Sequence, residues 1–145
     1  MGTFIVHGGK PLKGEIIPQG AKNEALQVIC AVLLTPEKVT IRNIPDISDV
    51  NMLIELIGCM GVKVQRESDS ITSFEAKEVN LDYLQTSEFR RQSSSLRGSI
   101  MIVGPLLGRF GKAFIPKPGG DKIGRRRVDT HFTGFQKLGA RFEFD

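Results

Sequence analysis

The sequence has no tryptophan, one tyrosine and two cysteines among its 145 residues. This leaves no tryptophan and a single tyrosine for stacking on nucleic-acid bases. Cys30 and Cys59 lack a CxxC spacing and lie in apolar helical patterns, so we expect two reduced thiols in the core. No apolar run is long enough for a transmembrane helix. The N-terminal residues have neither a basic start nor an apolar signal core, which predicts a cytoplasmic protein.

The composition is that of a globular domain, with 40% hydrophobic and 25% charged residues. This length is sufficient for one domain with a substantial core. The net charge of +4 indicates an anionic partner. It does not decide between a nucleotide, a nucleic acid and a membrane surface.

Hydrophobic periodicity predicts alternating helices and strands. Strands are predicted over residues 4–7, 12–17, 38–42, 62–65, 71–74, 112–115 and 140–144. Helices are predicted over residues 23–34, from Ser48 or Asp49 as the cap to residue 60, over 96–107, and over 128–138. Pro105 should kink the third helix or lie near a turn. Gly61 and Gly139 are placed to end the helices that precede them.

This order of elements occurs twice along the chain. Residues 37–41 correspond to 111–115, and residues 60–64 correspond to 138–142. Between these segments the second copy is longer, and its extra length lies in the glycine-rich stretch 119–124. We interpret that insert as functional, since the first copy does without it. The second copy stops after its first strand, which predicts that the sequence is part of a longer polypeptide.

Three stretches have side chains suited to an anionic ligand. Gly-Ala-Lys-Asn at 20–23 opens a helix, where free N–H groups favour an anion and Lys22 adds a charge. Arg97 interrupts an apolar helix and must face water or a ligand. In residues 118–129, Asp121 lies among glycines and arginines that offer forked donors for phosphate or carboxylate. The plainer alternatives are a solvated Lys22, a solvated Arg97 and a basic turn.

Together these stretches resemble the enolpyruvyl transferase family. The matching segments are residues 20–25, 96–100, 104–111, 118–124, 126–131 and 138–140. The resemblance implies an α/β (α+β) fold, in which repeated βαβαββ units build an inside-out α/β barrel. It further implies that residues 1–20 cross into the other domain of the enzyme. Residues 21–145 would then form a partial domain, nearly two of its three units, with the remainder of the enzyme absent.

The resemblance also implies a reaction and its site residues. An enolpyruvyl group passes from phosphoenolpyruvate to the 3-hydroxyl of UDP-N-acetylglucosamine and phosphate is released, the first committed step of peptidoglycan synthesis. Asp121 is the implied general acid. The implied phosphoenolpyruvate ligands are Lys22, Asn23 and Arg126. The implied nucleotide-sugar ligands are Arg97, Arg126, Arg127, Val128, Asp129 and Thr130. No cofactor, metal, nucleic acid or membrane partner is implied, and without the missing domain we expect the chain to be inactive.

The sequence departs from the common family pattern at three positions. Asp121 replaces a cysteine that is the target of the epoxide fosfomycin, which predicts insensitivity to that drug. A carboxylic acid donates a proton to carbon only when its pKa is raised, which burial favours and neighbouring arginines oppose. Arg127 stands where proline is common and Met101 where an aromatic residue can occur, so the nucleotide contacts differ in detail.

Two alternative functions are open at this point. One is the shikimate-pathway member of the family, which is expected to have a Gly-Ser-Lys-Ser type sequence where this chain has Gly-Ala-Lys-Asn. The other is a nucleic-acid-binding module, suggested by the pI near 9.3 and by the three arginines at 125–127. The basic run is short for such a module. A substrate test separates the first alternative, and salt-sensitive oligonucleotide binding would favour the second.

Overall fold

A computed structural model describes residues 2–117, 119 and 127–143. The helices in this part of the chain are α1 (Lys22–Ala31), α2 (Ser48–Cys59), α3 (Ser87–Ser95), α4 (Val103–Phe110) and α5 (Asp129–Lys137). The strands are β1 (Lys38–Ile41), β2 (Lys63–Ser68) and β3 (Ile71–Glu75). Short 3₁₀ segments extend α1 over Val32–Leu34 and precede α3 and α4 over Leu81–Gln85 and Arg97–Ile102. The result is a mixed helix and strand structure with one small open sheet.

The sheet is antiparallel, with strand order β1-β3-β2. Phe74 in the central strand pairs with Val39 on one side and Val64 on the other. Its side chain is fully buried. The predicted hairpin and the predicted strand over 38–42 are therefore confirmed.

The core lies between this sheet and helices α1 and α2. Helix α2 contributes a stripe with helical spacing, Val50, Leu53, Ile54 and Ile57. Helix α1 and its 3₁₀ extension contribute Ile29 and Leu33, both fully buried. Each such side chain stabilises the fold by about 1.5–3 kcal/mol relative to an exposed position. This packing fixes the N-terminal ends of α1 and α2 close to each other.

The segment after Ser95 differs from the single helix predicted over 96–107. Ser93 ends up inside α3, the backbone becomes extended at Leu96, and a 3₁₀ segment leads into α4. The Ser99 hydroxyl donates to the carbonyls of Ser93 and Leu96, at 2.8 and 2.6 Å. These buried side-chain bonds satisfy the end of α3 and compete with a continuous helix. Pro105 lies in the first turn of α4, the part of a helix that tolerates proline best.

The strands predicted over 4–7 and 12–17 are wrong for this structure. Residues 2–20 form no helix or strand, and their apolar side chains are exposed, with Phe4 at 95% and Leu12 at 99%. Alternating apolar residues form a strand only where another strand supplies hydrogen bonds and a surface to cover. In the described part of the chain no strand pairs with them.

The strands predicted over 112–115 and 140–144 are also absent from the described residues. The second copy of the predicted repeat therefore forms no sheet there, and the repeat is not confirmed. In the first copy both outer strands hydrogen-bond to β3 and not to each other. The described residues of the second copy contain no strand equivalent to β3. The second-copy helix is present as α5, and Gly139 follows it with φ +97°, as predicted.

The two cysteines have different environments. Cys30 is buried, as predicted, and burial raises the pKa of its thiol to about 12. The prediction that Cys59 lies in the core is wrong, because this residue is exposed. Cys59 is two positions beyond the buried Ile57, which turns it about 200° away from the apolar stripe of α2.

A polar network on the sheet predicts an acid-sensitive contribution to stability. The Ser73 hydroxyl donates to a Glu67 carboxylate oxygen at 2.5 Å, and Lys38 Nζ lies 3.3 Å from the same oxygen. These contacts, the Ser73 hydrogen bond first, lower the pKa of Glu67 from its ordinary value of 4.5. A lowered pKa stabilises the fold above the unfolded-state value, and the contribution is lost as pH falls through the folded-state value.

We therefore expect Glu67→Gln to flatten the decline in unfolding free energy below roughly pH 5. Chemical denaturation of the chain at a series of pH values measures this slope. The matched control is Asp69→Asn, at an exposed turn position of the same hairpin. An unchanged acid slope in the Glu67→Gln variant would show that the network does not contribute.

Candidate functional site

A cavity of about 660 Å³ lies where α1, α2 and the 3₁₀ segment Arg97–Ile102 meet. Its lining includes Lys22, Asn23, Arg97 and Val128, four of the residues predicted for the site. The fold thus brings residues that are up to about a hundred positions apart in sequence to the lining of one cavity. Met101, one of the departures from the family pattern, also lines this cavity.

The start of α1 provides the first cation and several backbone donors. Lys22 is the first residue of the helix and Asn23 the second. Ala21 caps the helix without a side-chain hydrogen bond, and the first helical bond runs from Ala25 N to Ala21 O at 3.0 Å. The N–H groups of the first turn are therefore available to an anion, which the helix dipole also favours.

Gly20 sets the position of this helix start. A Cβ at residue 20 would lie 1.9 Å from the carbonyl oxygen of Asn43. Only glycine permits this close backbone approach, because any side chain would overlap the carbonyl. The contact places Lys22 next to the chain that leads into α2.

The Lys22 ammonium forms an ion pair with Asp49 across the cavity wall. Lys22 Nζ lies 2.7 Å from Asp49 Oδ2, and the two side chains are 45% and 42% exposed. The sequence suggested Ser48 or Asp49 only as a cap for α2. That prediction is wrong, since Ile47 is the cap and no side chain bonds the helix end. Sequence reasoning therefore missed Asp49 as a site residue, and no spacing rule connects two residues 27 positions apart on different helices.

Arg97 connects the cavity to the start of α5. It is the first residue of the 3₁₀ segment and is half-buried. Its Nη2 donates to the carbonyl oxygen of Arg127 at 3.4 Å. His131, on the first turns of α5, also lines the cavity and was not predicted as a site residue.

Three more of the predicted nucleotide-sugar residues lie in a second cavity, of about 520 Å³, on the side of α5. Arg127, Asp129 and Thr130 line it together with Lys137. Arg127 and Asp129 form an ion pair there, with 71% and 55% of their side chains exposed. The structure therefore divides the predicted set, with Arg97 and Val128 in the first cavity and these three residues in the second.

Asp121 and Arg126 lie outside the described residues, so their placement stays a prediction. Gly119, two positions before Asp121, lies at the edge of the first cavity. A Cβ at residue 119 would be 1.6 Å from the Ser94 carbonyl oxygen, which requires glycine at this contact. The end of α3 and the start of the glycine-rich stretch therefore meet at the cavity.

Two features of the described part of the chain bear on the class of site. No group of three or more His, Cys, Asp and Glu side chains there is arranged to hold a metal ion. None of the helices in those residues combines the length and apolar character needed to cross a membrane. The cavity wall instead offers two cations, free helix amides and an amide side chain, which suit a phosphate or carboxylate.

Comparison with known proteins gives a consistent set of relatives. The sequence profile of EPSP synthase (3-phosphoshikimate 1-carboxyvinyltransferase) matches residues 6–145. A UDP-N-acetylglucosamine 1-carboxyvinyltransferase of Bacteroides thetaiotaomicron is 60% identical over 145 residues, which is 100% of this chain and 33% of the relative. The protein of the same name from Porphyromonas gingivalis is 57% identical over 144 residues, 99% of this chain and 33% of the relative.

A more distant relative of the same name, from Treponema denticola, is 39% identical over 146 aligned positions, 100% of this chain and 33% of the relative. The chain thus spans about a third of the length of these curated relatives. The profile match covers all but the first five residues. The chain therefore belongs to the EPSP synthase family of carboxyvinyltransferases.

Proposed function

We propose that this chain is the N-terminal third of an enzyme that transfers enolpyruvyl from phosphoenolpyruvate to the 3-hydroxyl of UDP-N-acetylglucosamine. The observation that carries this proposal is the 57–60% identity over essentially the whole chain to relatives named for that activity. The same names favour this substrate over the shikimate-pathway alternative. A cytoplasmic location, predicted from the sequence, is part of the proposal.

Phosphoenolpyruvate is the ligand proposed for the α1 end of the first cavity. Its phosphate and carboxylate require cations and N–H donors, and Lys22 and the first-turn amides supply both. Asn23 adds an amide side chain on the same wall. Arg126 is proposed as a further ligand from its place in the sequence pattern.

The nucleotide sugar is proposed to bind along Arg97 and residues 126–130. Its diphosphate suits arginine, whose planar fork donates two parallel hydrogen bonds to phosphate oxygens. The Arg97 contact with the Arg127 carbonyl joins the two described parts of this path. Asp129 and Thr130 offer an acceptor and a hydroxyl for neutral groups of the ligand.

The reaction we propose has two stages. Asp121 protonates C3 of phosphoenolpyruvate, which makes C2 electrophilic, and the sugar 3-hydroxyl adds to C2 while its proton passes to an acidic base in the remaining two thirds of the enzyme. The Asp121 carboxylate then takes a proton back from C3, the bond between C2 and the phosphate oxygen breaks, and the double bond is restored as phosphate leaves. Lys22 and Arg126 stabilise the negative charge that gathers on the phosphate as it leaves.

The exposed N-terminal segment fits the same proposal. Residues 2–20 present Phe4, Ile5, Ile16 and Ile17 to solvent. Such a set of unpaired apolar residues requires a covering surface. We propose that the segment crosses into the second domain of the complete enzyme.

The proposed function is tested by assaying phosphate release from phosphoenolpyruvate by the complete enzyme. Release is expected with UDP-N-acetylglucosamine and not with shikimate 3-phosphate. The opposite preference would overturn the choice of acceptor. No release with either would overturn the proposed function.

Lys22→Ala in the complete enzyme is expected to lower kcat/KM for phosphoenolpyruvate. Loss of a charge-assisted bond costs about 1.5–3 kcal/mol, equivalent to a roughly 10- to 150-fold decrease. Steady-state phosphate release measures this value. Lys63→Ala is the matched control, because Lys63 is an exposed lysine on β2 outside the cavity lining. Wild-type kinetics in both variants would mean that Lys22 does not bind phosphoenolpyruvate.

A further inference from the structure

The ion pair between Lys22 and Asp49 is unusual for its location. Both side chains line the same cavity, and their charged atoms lie 2.7 Å apart. Ion pairs with this degree of exposure contribute little to stability. A carboxylate in the wall of an anion site also repels the anion. Neither fold stability nor direct ligand binding accounts for Asp49 at this position.

The helix dipoles give Asp49 a role that acts through Lys22. Lys22 is the first residue of α1, where the positive end of the helix disfavours an ammonium group. Asp49 is in the first turn of α2, where the same effect favours a carboxylate. The carboxylate can therefore hold the ammonium at a place where its own helix does not.

We propose that Asp49 is a positioning residue, whose carboxylate holds the Lys22 ammonium at the cavity wall in the orientation that receives phosphoenolpyruvate. This inference rests on the proposed function. A lysine ammonium has three donors, so one bond to Asp49 leaves two for the incoming anion. The lysine stem is long and flexible, and without the carboxylate the ammonium samples many rotamers.

The test is a double-mutant cycle in the complete enzyme, with Asp49→Asn, Lys22→Ala and both changes together. Asp49→Asn is expected to lower kcat/KM for phosphoenolpyruvate about tenfold in the presence of Lys22. In the Lys22→Ala background it should cause no further decrease, because Asp49 acts through the ammonium. Asp49→Glu should recover part of the activity. Equilibrium binding of phosphoenolpyruvate completes the cycle if turnover without Lys22 is too low to measure.

Two readouts separate positioning from a structural role. The melting temperature and the Kd for UDP-N-acetylglucosamine should stay at wild-type values in Asp49→Asn. Asp46→Asn is the matched control, since Asp46 lies just before α2 and bonds Asn51 at 2.7 Å outside the cavity lining. It should leave kcat/KM unchanged.

Three results would overturn the role of Asp49 alone. They are wild-type kcat/KM in Asp49→Asn, an equal decrease with and without Lys22, and a decrease that follows a lowered melting temperature. An absence of turnover in the wild-type complete enzyme would instead overturn the proposed function, and the role of Asp49 with it. The two failures are therefore distinguishable.

Discussion

Asp121→Asn in the complete enzyme is expected to lower kcat by about 10²–10⁴-fold, the usual contribution of a general acid. The reason is that an amide cannot deliver a proton to C3 of phosphoenolpyruvate. The Kd for UDP-N-acetylglucosamine should stay near the wild-type value, because the change removes a proton donor and not a nucleotide contact. Steady-state phosphate release and equilibrium titration measure the two quantities.

Asp121→Cys is the informative companion, because a thiol also carries a transferable proton and should keep the enzyme active. Asp69→Asn, at the exposed hairpin turn, controls for the loss of a surface carboxylate. Near-normal turnover in Asp121→Asn would contradict the assignment of Asp121 as the general acid. Inactivity of Asp121→Cys with normal ligand binding would show that residue 121 must be a carboxylic acid.

Local sequence signals were sufficient for the elements from α1 to β3. The apolar stripes of α1 and α2, the hairpin β2-β3 and the glycine after α2 follow from periodicity and turn chemistry, which act within a few residues. The strands predicted over 4–7, 12–17 and 112–115 have the same local pattern and do not form. A strand depends on a distant partner, and hydrophobic alternation carries no information on whether that partner is present.

The candidate site likewise has features that follow from neighbouring residues and features that depend on distant ones. The helix start at Lys22 was predictable, because a helix N-terminus and a lysine are adjacent in sequence, whereas anion binding there stays a prediction. The Lys22–Asp49 pair was not, since it depends on how α1 packs against α2. The break at Leu96 was missed for a related reason: the Ser99 hydroxyl bonds that satisfy the end of α3 become visible only in three dimensions.

The exposure of Cys59 matters for the response of the enzyme to fosfomycin. The resemblance implies that the epoxide acts on members with a cysteine at the position of Asp121 by alkylating it, a reaction that requires a thiolate. Cys59 is at the opposite end of α2 from Asp49, about 15 Å away along the helix axis. Cys59 does not line the first cavity, so we expect that alkylation of its thiol would not block that cavity. Cys30 is buried, and its thiol has a pKa raised to about 12, so it supplies almost no thiolate at neutral pH.

The complete enzyme is therefore expected to resist fosfomycin, because Asp121 offers a carboxylate, a far weaker nucleophile toward an epoxide than a thiolate. Preincubation with the drug and UDP-N-acetylglucosamine, then dilution and assay, should show full activity in the protein with Asp121 and time-dependent loss in the Asp121→Cys protein. Both proteins are made with Cys59→Ser, so that an adduct at the exposed thiol is not mistaken for one at the site. Peptide mass mapping should place the adduct at residue 121 of the cysteine variant. Time-dependent inactivation of the enzyme with Asp121 intact would contradict the prediction, because the phosphonate beside Lys22 should compete only reversibly with phosphoenolpyruvate.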